Sequence, residues 1–171
     1  MSYSDGNEYR GDLFLRKAHG YGEFRSLKGE RYLGEWTFGK KNGYGLYNYA
    51  NGDSYEGKFS SNVKEGFGVF TWKGGLRYLG NWEKGEPSGQ GKLILENSNE
   101  TLEGEYRNGI IHNGKGMYVY EDGSKYIGEW KNGKREGGGI LFDPDGKPVY
   151  SGPWVDDKQS PVGHSKGKMT S

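Results

Sequence analysis

The chain has 171 residues, and its 24 Lys and Arg against 23 Asp and Glu give a formal net charge of +1 at pH 7. This balance provides no field of one sign that would attract nucleic acid or an anionic membrane over a distance. The chain contains no cysteine, which excludes a disulfide framework, a zinc–thiolate site and a thiol nucleophile. With 33 glycines and 15% aromatic residues, the composition favours many short strands joined by tight turns over disorder.

The sequence predicts neither a signal peptide nor a membrane span. The first residues, Met1 to Gly6, have neither the basic nor the apolar region of a signal peptide. No apolar run approaches the roughly 20 residues that are needed to span a bilayer. We therefore expect an intracellular protein of the cytoplasm or the cytoskeleton.

A motif repeats along the chain from its first residues to its last quarter. Each copy opens with Tyr-x-Gly-x-Trp or a close variant, and six copies carry Gly-x-Gly about eleven residues later. A fixed period of this length indicates a repeat architecture. The residues that open the seven copies, 23 or 24 positions apart, are Tyr9, Tyr32, Tyr55, Tyr78, Leu102, Tyr126 and Tyr150.

Each copy is predicted to be a β-hairpin. Large residues alternate from Tyr32 to Trp36, which is the period of a strand. A polar turn is expected over residues 38–42 and a second strand over 43–49, after which Asn51-Gly52 turns the chain back. Stacked copies of such a hairpin predict an all-β fold: an elongated, twisted, single-layer antiparallel meander that resembles a solenoid.

The alternation also assigns side chains to the two faces of the sheet. Tyr32, Gly34 and Trp36 share one face with Tyr47 and Tyr49 of the second strand. The glycines on this face are expected to leave room for an aromatic ring to lie on bare backbone. The opposite face is expected to be wetter and mildly acidic, with Asp12, Glu35, Lys58, Asn81, Glu105 and Glu129.

The two ends depart from the regular repeat. Residues 1–8 are predicted to be a half repeat that acts as an N-terminal cap, and residues 9–149 hold six regular copies. Residues 150–164 lack Gly-x-Gly and contain Pro153, which is typical of a sheet edge, so they are predicted to be a degenerate seventh copy and cap. Residues 165–171 are expected to be a flexible tail. Exposed edge strands leave self-association open.

Two copies resemble the MORN motif (membrane occupation and recognition nexus) almost fully: residues 32–36 with 43–45, and residues 126–130 with 137–139. The resemblance extends over residues 6–163. It implies a protein-assembly module without catalysis, of the kind found in radial spoke heads and other cytoskeletal structures, and a phospholipid-binding role that was proposed for some members. Residues 157–163 also resemble the end of the array in radial spoke head proteins, which favours a cilium or flagellum axoneme.

No arrangement of residues predicts catalysis. Residues 34–40 and 128–134 resemble a Walker A loop, but Lys41 and Arg135 follow them where Ser or Thr would bind magnesium. Carboxylates are spread along one face and are not paired as acid and base. The histidines lie in or beside turns of different copies, too far apart for a metal triad: His19, His112 and His164. We therefore expect no enzymatic activity, no cofactor and no metal site.

Two surfaces are the candidate binding sites. The first is a groove on the aromatic face, to which a helix or an extended peptide of a partner protein would bind. Its predicted residues are Tyr32, Trp36, Tyr47, Tyr49, Tyr55, Phe70, Trp72, Trp82 and Trp130. The alternative is contact of basic hairpin turns with a phosphoinositide or another anionic lipid, through Lys40, Lys41, Lys131, Lys134 and Arg135. The net charge of +1 favours a protein partner, and no nucleic acid partner is expected.

Overall fold

The computed structural model describes residues 3, 5–94 and 101–160 of the chain. Over these ranges the chain forms strands joined by turns, and it contains no helix that is long and apolar enough to cross a membrane. The chain divides into two compact units, Met1–Ile110 and Ile111–Ser171. The predicted all-β fold is confirmed.

Each unit is an antiparallel meander, because every strand pairs with the strand that follows it in the chain. The strands of the first unit are β1 (Glu8–Phe14), β2 (Lys17–Arg25), β3 (Arg31–Thr37), β4 (Lys40–Asn48), β5 (Ser54–Ser60), β6 (Val63–Thr71), β7 (Arg77–Glu83), β8 (Glu86–Ile94) and β9 (Thr101–Arg107). Those of the second are β10 (Ile110–Val119), β11 (Lys125–Lys131), β12 (Lys134–Phe142), β13 (Pro148–Val155) and β14 (Lys158–Gln159). The meander predicted from the repeat is confirmed within each unit.

Paired glycines lie at the centre of five hairpins, and a tyrosine ring lies across each pair. Gly34 pairs with Gly45, and a Cβ atom added to either would collide with the Tyr32 side chain. The Tyr32 hydroxyl then donates a hydrogen bond to the Glu35 carbonyl oxygen at 3.0 Å. The predicted role of the glycines is therefore confirmed. The same hydroxyl-to-carbonyl bond is made by Tyr9, Tyr55, Tyr78, Tyr126 and Tyr150.

The same five hairpins contain a β-bulge beside the glycine pair. The register between β3 and β4 shifts at Glu35, which lies opposite a longer stretch of the second strand. The Glu35 carboxylate accepts a hydrogen bond from the backbone N–H of Tyr44 at 2.8 Å. In the first hairpin, Asp12 accepts the equivalent bond from Tyr21 at 3.2 Å. Two of the carboxylates on the predicted acidic face therefore satisfy backbone donors of the bulges.

The core of each unit is a row of aromatic rings in edge-to-face contact. The Tyr32 ring lies 5.1 Å from Trp36 of its own copy and 5.3 Å from Phe59 of the next copy, measured between centroids. The Trp36 indole N–H donates to the Gly22 carbonyl oxygen of the preceding copy at 3.1 Å. Because every ring contacts two copies, burial depends on stacking of neighbouring hairpins.

The turn inside the hairpin differs from the prediction. A turn was expected over residues 38–42, but only Phe38 and Gly39 separate β3 from β4. Both residues have positive φ, 47° and 82°, as the turns that match strand twist require. The polarity of Lys41 suggested a turn residue, whereas its side chain extends along the aromatic face over the Tyr47 ring.

The ends of the described chain preserve parts of the repeat. The backbone N–H of Tyr3 donates to the Asn7 carbonyl oxygen at 2.9 Å, as in the turns that join successive copies. At the other end, β13 pairs with β14, which is only two residues long. The predicted tail over residues 165–171 and the last four residues of the predicted cap, 161–164, lie outside the described residues.

Candidate protein-binding site

Five of the nine residues predicted to line the aromatic groove belong to the core. Tyr32, Trp36, Tyr55, Trp82 and Trp130 are each at most 7% exposed. The rings of neighbouring copies cover them on both sides, so little of their surface is left for a partner. The alternation of the strand had placed them on the correct face, but it does not reveal how many neighbours a ring has.

The other four predicted groove residues form a partly exposed row in the first unit. Successive ring centroids are 4.6 Å apart from Tyr47 to Tyr49, 5.7 Å from Tyr49 to Phe70 and 4.8 Å from Phe70 to Trp72. Trp72 is 38% exposed. Burial, with the nearby carboxylate of Glu30, raises the pKa of the Tyr47 hydroxyl to about 12. Of the residues predicted to line the groove on the aromatic face, this row is the partly exposed part.

Two of the three basic residues that were predicted to contact lipid in the second unit have acidic partners. The Lys134 ammonium lies 2.9 Å from the Asp156 carboxylate, and the Arg135 guanidinium lies 3.2 Å from the Asp157 carboxylate. Lys131 is exposed at the end of β11. An anionic headgroup would have to displace two carboxylates here, which argues against the lipid alternative.

In the first unit, the two predicted basic contacts differ from one another. Lys40 is exposed, whereas the Lys41 ammonium lies 4.1 Å from the centroid of the Tyr47 ring. Burial lowers the pKa of Lys41, because a charged group is less well solvated against aromatic rings than in water. The two neighbours therefore do not form one exposed basic patch.

The opposite face of the first unit contains a feature that the sequence analysis missed. A cleft of about 650 Å³ lies over β2 to β6. Three aromatic residues beside it, Tyr21, Tyr44 and Phe67, are 56%, 62% and 57% exposed. The other apolar side chains of its lining are Leu33, Leu46 and Val69. We call this the outward cleft. The face that was expected to be merely wet and acidic is therefore in large part apolar.

The signal for this cleft is present in the repeat. Its three aromatic residues are the middle residues of consecutive Gly-x-Gly motifs, 23 positions apart. Because neighbouring residues of a strand point to opposite faces, the flanking glycines belong to the aromatic face and only the middle residue of each motif projects onto the opposite face. In the remaining copies the middle residues are Gln90, Lys115 and Gly138. The aromatic character is therefore limited to three copies of the first unit.

Two carboxylates accompany the apolar lining of the outward cleft. Glu35 and Glu56 are the charged residues among the side chains that line it. Glu35 is held in place by the hydrogen bond that it accepts from the Tyr44 backbone. The outward cleft therefore combines exposed aromatic rings with a negative edge, which suits an apolar ligand that carries basic groups.

His19 lies in β2 and His112 in β10, and the third histidine, His164, lies outside the described residues. The His19 ring lies 5.5 Å from Phe14 and 5.2 Å from Phe38, between centroids, at the turn edge of the first unit. His112 lies in β10, and its backbone carbonyl accepts a hydrogen bond from Gly133 at 2.9 Å. Among residues 3, 5–94 and 101–160, no group of three or more His, Asp and Glu is arranged to hold a metal ion.

The pattern of tyrosine, paired glycine and tryptophan is that of a known family. The MORN repeat model matches residues 32–54, 55–77, 78–100, 103–125 and 126–147. The chain belongs to the MORN repeat family. Five copies are matched where seven were predicted, so the first and last predicted copies lie outside the matched residues. No curated protein matches the chain.

Two solved structures are similar to this MORN repeat chain at low identity. The SAS-4 (dCPAP) TCP domain in complex with a proline rich motif of Ana2 (dSTIL) of Drosophila melanogaster is 14% identical, with 90% of this chain and 82% of that chain covered and a TM-score of 0.44. The E1021V mutant of the TCP10 domain of Danio rerio CPAP is 13% identical, with coverage of 90% and 98% and a TM-score of 0.22. Both TM-scores lie below 0.5, so neither likeness bears on the fold or function of this chain.

The hairpins that flank the matched MORN repeats preserve the central contact. The Tyr9 hydroxyl donates to the Asp12 carbonyl oxygen at 2.9 Å, and the Tyr150 hydroxyl donates to the Pro153 carbonyl oxygen at 2.8 Å. The indole of Trp154 also donates to the preceding copy, as those of Trp36, Trp82 and Trp130 do. Both flanking hairpins are therefore built like MORN copies, although their sequences diverge from the motif.

Proposed function

We propose that this MORN repeat chain is a protein-binding module whose first unit holds a segment of a partner protein in the outward cleft. The observation that carries the proposal is that Tyr21, Tyr44 and Phe67 are each more than half exposed beside one cleft. Exposed aromatic residues next to aliphatic ones are typical of surfaces that bind proteins. MORN repeats are generally a non-enzymatic module, which supports a role without catalysis.

The spacing of the three aromatic residues favours an amphipathic helix as the bound segment. One repeat advances the sheet by two strands, which is about 9.6 Å. Seven residues of an α-helix advance about 10.5 Å, so apolar side chains at i and i+7 would reach successive copies. Glu35 and Glu56 favour Lys or Arg on the flanks of that helix.

A cytoskeletal assembly, with an axoneme as its first candidate, is the setting we propose for the module. The support for this setting is the resemblance of the repeat to those of radial spoke heads and other cytoskeletal proteins. A fluorescently tagged chain in the source cell should be enriched at an axoneme or another cytoskeletal structure. A signal that is uniform through the cell would contradict the proposed setting, but not the binding role.

Site-specific photo-crosslinking tests the binding role. A photoreactive phenylalanine analogue is placed at Tyr44 or at Phe67, and, as a control, at Leu27, which is 77% exposed in a turn of the same unit. Crosslinking in source-cell extract should join the same protein to the first two positions and not to the control. Mass spectrometry of the crosslinked peptide should identify an amphipathic helical segment with basic flanks.

A matched pair of variants completes this test. The double variant Tyr44→Ser with Phe67→Ser should lower affinity for the crosslinked segment by at least about tenfold, since buried aromatic residues dominate binding energy. The control, Leu15→Ser with Leu27→Ser, removes apolar residues that are equally exposed outside the outward cleft. Equal affinity of both double variants for the segment would refute the proposed role of the outward cleft.

A further inference from the structure

Two lysines on the aromatic face occupy the same position in consecutive copies. The Lys41 ammonium lies 4.1 Å from the Tyr47 ring centroid, and the Lys64 ammonium lies 4.0 Å from the Trp82 ring centroid. The equivalent position in other copies is held by Ala18, Pro87, Ile111 and Arg135. Because the equivalent residue is apolar in three of these copies, the fold itself does not require a cation at this position.

Neither lysine has a carboxylate partner within the described part of the chain. No carboxylate oxygen of those residues lies within 4.0 Å of either ammonium nitrogen. Burial lowers the pKa of each lysine, and it outweighs the opposing effect of the Glu30 charge on Lys41 and of the Glu86 charge on Lys64. Two cations are thus partly removed from water, with aromatic faces as their only close compensation.

Both ammonium groups border one cleft of about 310 Å³. Tyr47, Tyr49 and Phe59 supply its aromatic walls. The row formed by Tyr49, Phe70 and Trp72 continues from it across the next copy. A ligand in this cleft would therefore meet flat apolar surfaces and two positive charges, on the face of the sheet opposite to the outward cleft.

We propose that Lys41 and Lys64 bind two carboxylates of an extended acidic segment of a partner protein. The lysines are one repeat apart, which is about 9.6 Å across two strands. In a polyproline II segment, residues i and i+3 lie on the same side about 9.3 Å apart. An acidic residue at every third position would thus place one carboxylate at each lysine, while intervening prolines pack on the aromatic walls.

The structure favours a peptide over a membrane surface as the source of the anion. Lys41 and Lys64 lie within strands, against ring faces, whereas a flat bilayer would contact residues at the tips of turns. This site is separate from the outward cleft, so the proposal stands or falls independently of the proposed function.

The test measures binding of a fluorescent peptide made of three Glu-Pro-Pro triplets to the whole chain. The double variant Lys41→Met with Lys64→Met removes both charges and keeps apolar side chains at positions where other copies are apolar. The control variant, Lys28→Met with Lys40→Met, removes two exposed lysines of the same unit. Fluorescence polarisation is recorded at about 0.1 M salt, where distant surface charges are largely screened.

We expect the Lys41 and Lys64 variant to weaken binding of the acidic peptide at least about tenfold and the control variant to change it less than about twofold. A peptide of Gln-Pro-Pro triplets should bind wild type as weakly as the acidic peptide binds the double variant. Equal binding of both peptides, or equal effects of both variants, would overturn the proposal. Binding of phosphatidylserine vesicles through these lysines, without binding of the peptide, would assign the site to a membrane and overturn it too.

Discussion

Both faces of the first unit have aromatic residues, but those on one face are buried and those on the other are exposed. Tyr32 and Tyr44 belong to the same copy and lie on paired strands, yet Tyr32 is 0% exposed and Tyr44 is 62% exposed. Tyr32 lies across a glycine pair and contacts rings of its own and the next copy. Tyr44 stands between two glycines on the other face, where no ring of a neighbouring strand covers it.

This difference shows that the glycine, more than the aromatic residue, decides which rings become core. A glycine pair opens a place for one tyrosine ring on the aromatic face of the sheet, whereas the residue between the two glycines of Gly-x-Gly points to the opposite face. The rings of the aromatic face are therefore buried, and those of the opposite face stay exposed.

The largest effect is expected from ionising the core tyrosines. Burial raises the pKa of Tyr106 and of Tyr126 to about 12, above the value of about 10 in an unfolded chain. Because the folded chain holds these hydroxyls neutral, the stability that they contribute is fully present below pH 10 and is lost as the pH rises through 12. We expect the free energy of unfolding to fall by several kcal/mol over this interval. Urea titrations at increasing pH, with tyrosinate absorbance recorded in parallel, measure it; ionisation of every tyrosine near pH 10 in a folded chain would refute it.

The same substitution at two adjacent glycines of β12 should change the stability of the chain by very different amounts. A Cβ atom at Gly139 would collide with the Tyr126 ring, whereas one at Gly138 would meet no atom within 4 Å. We expect Gly139→Ala to cost about 3 kcal/mol through overpacking, and Gly138→Ala to change stability by less than about 1 kcal/mol. Urea unfolding of the two variants gives both numbers. Similar losses of stability in both variants would contradict the placement of Gly139 on the packed face and Gly138 on the open face.

A smaller effect should separate two buried tyrosines of the first unit. The Tyr55 hydroxyl donates to the Lys58 carbonyl oxygen at 3.1 Å, whereas the buried Tyr106 hydroxyl has no hydrogen-bond partner among the described residues. Tyr55→Phe should therefore cost about 1 kcal/mol, and Tyr106→Phe should be neutral or stabilising by up to about 1 kcal/mol. Thermal unfolding of both variants is the measurement, and a larger loss for Tyr106→Phe would contradict the assignment of their hydrogen bonds.

Much of the fold could be predicted because the same pattern of residues recurs in seven copies. The spacing of Tyr-x-Gly-x-Trp and Gly-x-Gly indicated hairpins, strand alternation assigned the faces, and glycine next to aromatic residues indicated rings on bare backbone. The bulge at Glu35 and the short turn at Phe38 and Gly39 could not be predicted, because both depend on backbone geometry that polarity does not encode.

The candidate site was harder to predict for a physical reason. Alternation places Trp36 and Tyr47 on one face, but burial follows from the number of rings that neighbouring copies bring to each position. Trp36, Trp82 and Trp130 were therefore predicted as binding residues although they belong to the core. Tyr21, Tyr44 and Phe67 form a visible series in the sequence, but only the structure shows that they share one cleft.

Residue-resolved tyrosine nitration tests the division between the two faces most directly. Mass spectrometry of the free chain should find Tyr21 and Tyr44 nitrated and Tyr32 and Tyr55 protected, because reaction requires access to the ring. Addition of the partner segment recovered by crosslinking at Tyr44 should protect Tyr21 and Tyr44 without changing the other two. Equal nitration of all four tyrosines in the folded chain, or unchanged nitration of Tyr44 in the complex, would contradict the account.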